Sequence, residues 1–348
     1  MLAPAGMDPQ QVGYGIYLPA QAAGELLADD ALKQRWLNAC KESGWPIWTA
    51  NAFPFGGFHS SKVKELAFQP DWSTAERLQY TCQVADLMAA LMESGSRGSI
   101  STCPLGYGSQ LNDDPDVRWH LQAAADHLAR VYQQHGVHLT LSLEPEPDGG
   151  FERVEDLAAW LQQHFGGNPH LGVCWDLCHG AVVGESAADV IAALERYQVP
   201  CGKVQISAAL LLQQANPAVD QLLQDLAQDP WFHQVRGTDG ASAWSDLPDF
   251  LASDAYRQMQ QIEGGSYGIH CHVPVHRGDY LPGLAGTEWK EQLKAALEAG
   301  IRDFELETYT LPVLPAQLLE EQGLLGTFVA ELSACFRQLG LDTTRTGP

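Results

Sequence analysis

Long apolar runs are missing from this chain, and none approaches the roughly 20 consecutive residues that a membrane-spanning helix needs. The opening MLAPAGMDPQQ has no basic segment leading into an apolar stretch, so no secretory signal is expected. A cytoplasmic protein without direct membrane insertion is the expectation. Positive charge is scarce too, with 20 Lys and Arg against 43 Asp and Glu and a formal net charge of −23. Nucleic acids and anionic lipids are gripped largely through Lys and Arg, so neither is an expected partner. Eight cysteines are present, but no Cys-x-x-Cys pair or zinc-knuckle spacing occurs. A free cysteine in apolar surroundings behaves as a small hydrophobe, and Cys174, Cys178 and Cys271 are read as packing. Low-complexity tracts and linkers are absent as well, which favours one domain over residues 1–348.

What is there is alternation. Short β-rich runs at 12–18, 46–53, 99–105, 137–145, 170–176, 202–207, 267–275 and 303–310 are separated by helical patterns. These include 74–93, 115–135, 153–165, 186–198, 287–299 and 315–339. Such alternation marks βαβ units around a parallel sheet, here a TIM (β/α)8 barrel. Residues 208–266, rich in Gln, Asp and Gly, break the rhythm and read as an insertion.

Side chains two apart on a strand share a face. Val137, Leu139, Leu141 and Leu143 form one face of 137–145, opposite His138, Thr140, Ser142 and Glu144. Val173 and Trp175 oppose Cys174 and Asp176, Val204 and Ile206 oppose Lys203, Gln205 and Ser207, and Phe304 and Leu306 oppose Glu305 and Glu307. The polar set falls at or near strand C-termini, where β/α barrels place their chemistry. Carboxylates gathered at one barrel mouth would each cost several kcal/mol without compensation, so they call for a cation or for mutual protonation.

Glu144 ends its strand in SLEPEP, with Glu146 following. Asp176 and His179 stand three apart in WDLCHG, His270 and His272 two apart in HCHVPV, and Glu305 and Glu307 two apart in ELETYT. A strand end with solvated carboxylates is the alternative for Glu144, and a hydrogen-bonding role beyond the ligands is the alternative for one histidine of His270 and His272. Oxygen and imidazole donors suit divalent Zn, Mn, Fe, Co or Mg. His59 lies on a glycine-rich approach in the Asn51-to-Lys64 segment and reads either as an additional ligand or as a loop histidine. Lys62, Lys64 and Arg77 would either meet an anionic substrate group or form salt bridges on a helix face. The histidines at 120, 135 and 233 read as ordinary surface groups.

The order Glu, Asp-x-x-His, a polar residue, His-x-His, Glu resembles the xylose-isomerase-like barrel superfamily of sugar isomerases, epimerases and apurinic-site endonucleases. By that resemblance Glu144, Asp176, His179, His272 and Glu307 are candidate metal ligands, and Gln205 stands where a ligating His is usual. Glu144 and Glu307 are the implied acid and base, with Asn51, His59 and His270 facing the substrate. The motif run ANAFPFGGFHSSKVKELAFQPDW, ISTCPLG, EPEPDG, VCWDLCHGAVVGE, KVQISAAL, FHQV, IHCHVPV and ELETYTLPVLP is similar to the EboE family of metabolite traffic proteins. That similarity implies handling of a secondary-metabolite precursor for export, with a membrane partner in the pathway. It also implies a further strand ahead of VGYGIYL, so an incomplete or atypical first strand is expected. Three functions fit: a metal-dependent isomerase or epimerase of a small polar metabolite, a metal-dependent hydrolase of a small phosphoester, and a non-catalytic metabolite carrier.

Overall fold

The computed structural model describes residues 12–56, 64–228, 231, 233–260, 265–307, 311, 314–315, 318–319 and 323–341. The chain forms two compact units, Met1–Trp175 with Ala192–Lys203 and Asp176–Ile191 with Val204–Pro348. His59 and Lys62 lie outside the described residues, as does the side chain of Lys64.

Parallel strands run through the first unit as β1 Gly15–Tyr17, β2 Thr49–Asn51, β3 Arg97–Thr102, β4 His138–Leu143, β5 Leu171–Asp176 and the start of β6 Cys201–Ile206. In the second unit come β7 Leu210–Leu212, β8 Val235–Gly237, β9 Ala243–Trp244, β10 Tyr267–Ile269, β11 Asp279–Leu281, β12 Leu284–Gly286 and β13 Phe304–Leu306. Two sheets result. Seven parallel strands follow the order β1-β2-β3-β4-β5-β6-β13, and six more form the sheet β11-β12-β7-β10-β8-β9. The parallel series is that of a β/α barrel, with helices such as Ala75–Leu91, Pro115–His135 and Val154–Phe165 between strands.

One expected barrel strand went elsewhere. Of 267–275 only Tyr267–Ile269 is extended, and it pairs antiparallel with β7 and β8. Pro274 has no amide to donate, which argues against a continuous ladder through the end of that run. The expected 208–266 insertion supplies three strands of the same sheet, β7, β8 and β9. Its Leu210-Leu211-Leu212 run forms β7, which pairs with both β10 and β12.

In the first unit both faces of β4 are buried. Leu139, Leu141 and Leu143 are on one side, with Thr140, Ser142 and the following Glu144 on the other. The polar face is built of small hydroxyls, and Ser99 Oγ lies 2.9 Å from Ser142 Oγ. A Cβ at Gly202 would stand 2.0 Å from Ser142 Oγ, so β6 can approach only as glycine. The buried Lys203 ammonium then reaches β2, donating to Thr49 Oγ1 at 3.1 Å and Ala50 O at 3.5 Å. A polar strut thus occupies space that branched aliphatics fill in many barrels.

Arg77 corrects the sequence reading. It is fully buried rather than on a helix surface or facing a solvated anion. Its Nε donates to Pro70 O at 2.8 Å and its Nη1 to Ala52 O and Phe53 O, each at 2.7 Å. It ties the turn after β2 to the start of the Ala75–Leu91 helix. Replacing it by Met would strand three carbonyls, each worth about 1–3 kcal/mol when left unsatisfied. Arg77→Met should therefore lower the unfolding free energy by at least about 2 kcal/mol and bring the urea midpoint down with it, and an unchanged midpoint would refute this role.

In the second unit Glu331, on the helix Gly323–Leu339, accepts the Val275 amide at 3.0 Å. Burial pushes its carboxyl up to about 7, against that hydrogen bond. A raised carboxyl contributes stability that is complete below its unfolded value near pH 4.5 and lost as pH rises through about 7. Glu331→Gln should flatten this dependence and raise Tm at pH 8, as thermal melts across pH would show.

Candidate metal centre

The centre is assembled within the second unit. Asp176 ends β5 and caps the helix Leu177–Val182, its Oδ1 accepting the His179 amide at 2.9 Å. Asp is favoured at such a cap because its oxygen satisfies an amide that has no intrahelical partner. The same Oδ1 accepts the Ser207 hydroxyl at 2.9 Å, and Ser207 Oγ in turn accepts the Cys178 amide at 2.9 Å. The turn is therefore fixed before any ion is considered.

His272 brings its Nε2 to 3.3 Å from His179 Nε2. Its Nδ1 lies 3.1 Å from Glu307 Oε2, with both side chains buried. The negative charge beside Nδ1 favours a proton there and the lone pair on Nε2, as charge partners of metal-binding imidazoles do. Gln205, fully buried, donates its amide to Glu307 Oε1 at 3.5 Å. Ligand atoms of Asp176, His179 and His272 lie within 4.8 Å of one another. Tetrahedral ions with bonds near 2.05 Å hold two nitrogens about 3.3 Å apart, so the His179–His272 spacing fits a bound divalent ion.

The electrostatics point the same way. Burial opposes the charged form of Asp176, yet His179, His272, a hydrogen bond with Glu307 and the His179 amide hold its carboxyl below the usual range. Burial depresses His272 and, more strongly, His270, where neighbouring histidines add to the effect. Neutral imidazoles are the form that binds metal.

His270 immediately follows β10, and Gln234 immediately precedes β8. The β10–β8 register pairs Ile269 with Val235, so the next residues, His270 and Gln234, face each other. His270 Nδ1 lies 2.6 Å from Gln234 Oε1. That oxygen can only accept, so Nδ1 carries the proton. His233 is buried and donates Nδ1–H to His270 O at 2.8 Å, which corrects its reading as a surface group. His120 is likewise buried, its Nδ1 3.0 Å from Trp72 O. Gln234 lies in the FHQV segment, where no local sequence signal pairs it with His270.

Other expected site residues lie in the first unit. Glu144 is buried just beyond β4, its amide donating to Thr102 O at 2.9 Å. Asn51 closes β2 and accepts the Phe53 amide at 2.9 Å, a turn-stabilising bond. His270 and His272 are not on one strand face as expected, since both lie past the end of β10. They still come together, with ring centroids 5.3 Å apart.

Glu307→Gln retains an acceptor for His272 Nδ1 but removes its charge. Affinity for a divalent ion should fall by about 10- to 100-fold, measured by competition with a chromophoric chelator. Unchanged affinity would remove Glu307 from the centre.

Among curated proteins no sequence matches the chain. Solved structures do. The IolI protein with a bound zinc atom aligns at a TM-score of 0.50 and 11% identity, covering 94% of this chain and 87% of its own. A xylose isomerase-like TIM barrel protein from Mycobacterium smegmatis, in complex with magnesium, aligns at 0.47 and 13% identity over 90% and 80% of the two chains. A sugar phosphate isomerase/epimerase from Parabacteroides distasonis aligns at 0.39 and 11% identity over 88% and 74%. The IolI alignment shows a shared fold. The sequence profile of a Xylose isomerase-like TIM barrel family matches residues 13–216. This chain, with its parallel β/α series and strand-end acids, belongs to the xylose isomerase-like TIM barrel family.

Proposed function

We propose that the protein is a metal-dependent isomerase or epimerase of a small polar metabolite bearing hydroxyl and carbonyl groups. The observation that carries this reading is the buried Asp176–His179–His272 set, with Glu307 holding His272. Family membership supports the reaction class, and the zinc atom in the IolI structure is in keeping with a metal centre. Fold alone does not fix function, so the reading stands on the site.

A bound divalent ion supplies Lewis-acid polarisation of a carbonyl or hydroxyl oxygen. Asp176, fixed by two hydrogen bonds on Oδ1, offers its remaining oxygen capacity as a hard donor. His179 and His272 offer Nε2. Proton transfer is assigned to Glu307 and, on its place at the C-terminal end of β4 alone, to Glu144. Gln205 is proposed as a further group of the metal set, acting through its hydrogen bond to Glu307. Asn51, His59 and His270 remain proposed substrate contacts. The motif run that resembles the EboE family extends the proposal to a secondary-metabolite precursor and a membrane partner in its export.

The first test is metal analysis of protein purified without chelator, followed by proton NMR in deuterium oxide with a panel of aldoses and ketoses. Metal-dependent deuterium wash-in beside a carbonyl is expected, and it should vanish in Asp176→Asn. Absence of stoichiometric metal would sink the proposal. Glu144→Gln and Glu307→Gln should each lower kcat by about 100-fold or more, and full activity in both would end the proton-transfer assignment.

A further inference from the structure

Cys178 has no part in the scheme above, yet it stands beside two of the imidazoles. Its sulfur and one nitrogen each from His270 and His272 lie within 4.8 Å of one another, and all three residues are buried. Three features fix this grouping. The Cys178 amide is held by Ser207 Oγ at 2.9 Å. The Cys271 backbone amide hydrogen-bonds the Cys178 sulfur, setting it against the backbone that joins the two histidines. Gln234 Oε1 accepts from His270 Nδ1, leaving Nε2 of His270 as the lone pair, and the Glu307 carboxylate lies 3.1 Å from His272 Nδ1 as a charge partner.

The thiol also packs with Val182 and Ala209, which a purely structural cysteine would do equally. A structural cysteine accounts for that contact alone. It does not account for two imidazoles that each bring a ring nitrogen within 4.8 Å of the sulfur, one of them with its tautomer set by Gln234. Tetrahedral zinc, with Zn–S near 2.3 Å and Zn–N near 2.05 Å, needs sulfur and nitrogen about 3.6 Å apart, and the three atoms lie within 4.8 Å of one another.

We infer that Cys178, His270 and His272 form a second cation position, for thiophilic divalent ions such as Zn, Co or Cd. It shares His272 with the Asp176–His179–His272 set and rests on the metal-binding reading of that set. Because His272 has one Nε2 lone pair, a single ion occupies one position or the other. Oxygen-preferring ions such as Mg or Mn take the Asp176 side, and thiophilic ions the Cys178 side. On binding there, the Cys178 proton passes to bulk water and the sulfur ligates as thiolate. The identity of the ion thereby sets which face of His272 is used, and His270 serves as a ligand rather than a substrate contact whenever a thiophilic ion is bound.

The test is titration of the metal-free full-length protein with Co(II), read by absorption. A near-ultraviolet sulfur-to-cobalt charge-transfer band is expected. Cys178→Ser and His270→Gln should abolish that band, whereas Cys271→Ser should keep it. Mn(II) affinity should be unchanged in Cys178→Ser, which also checks that the variant folds. Cadmium NMR of the unmodified protein reads thiolate ligation without any substitution. Co(II) bound without the band, or a band that survives in Cys178→Ser, overturns this inference and leaves the Asp176 set intact. Failure to bind either Co(II) or Mn(II) overturns both.

Discussion

At the end of β5 the chain must change from strand to helix, and Asp176 makes that change with its own side chain. Its Oδ1 takes the His179 amide and the Ser207 hydroxyl, so the carboxylate cannot rotate away without uncapping the turn. A cap at this point also decides where the next residues go. His179 falls one turn along, and Cys178 is held by the same Ser207 hydroxyl. Local folding and the chemistry of the centre thus depend on one group. Because the Asp176 side chain is buried, its hydrogen bonds lie in a low dielectric with no competing water and are stronger than at a surface.

Orientation then passes outward through buried amides. Gln205 donates to Glu307, Glu307 meets His272 Nδ1, and Gln234 accepts from His270 Nδ1. The Gln234 contact selects one tautomer of His270 and directs its other nitrogen, while Glu307 sets a negative charge beside His272. Burial alone would make these imidazoles poor bases, and it depresses both of them. For a metal ligand that is the useful direction, since no proton has to be displaced near neutral pH. The same low-dielectric surroundings that disfavour a proton on His270 or His272 strengthen a correctly placed divalent charge beside Asp176.

Most of the parallel sheet was legible in the sequence, because strand parity and burial obey a two-residue period that local reading detects. β4, β5 and β6 fell within two residues of the expected runs, and the Pro115–His135 helix matched its expected bounds. The strand-to-helix turn at Asp176 was equally legible, since an Asp at a strand end followed by a helix is a local cap signal. Gln234 and Cys178 were not. The contact of Gln234 with His270 exists only through an antiparallel register between segments 36 residues apart, which no local period encodes. Cys178 sits among apolar side chains in sequence, and only the folded turn places its sulfur by His270 and His272. Arg77 was misread because a charged residue near a helix start predicts solvent, whereas three backbone carbonyls turned inward needed a donor.

The family match ends at residue 216, yet His270, His272 and Glu307 lie beyond it. Two of these three arise from the antiparallel sheet rather than the parallel one, on the irregular segment after β10. Chemistry carried on connecting segments over a rigid scaffold can vary without disturbing the scaffold. Here that freedom is restricted by β-ladder register, because moving β10 one residue against β8 would turn His270 away from Gln234. The imidazole geometry is therefore as firmly specified as a strand residue's, although neither histidine is in a strand. Changes at position 234 would retune His270 and leave the Asp176 cap and the β6–β13 pairing as they are, which separates control of ion preference from control of the fold.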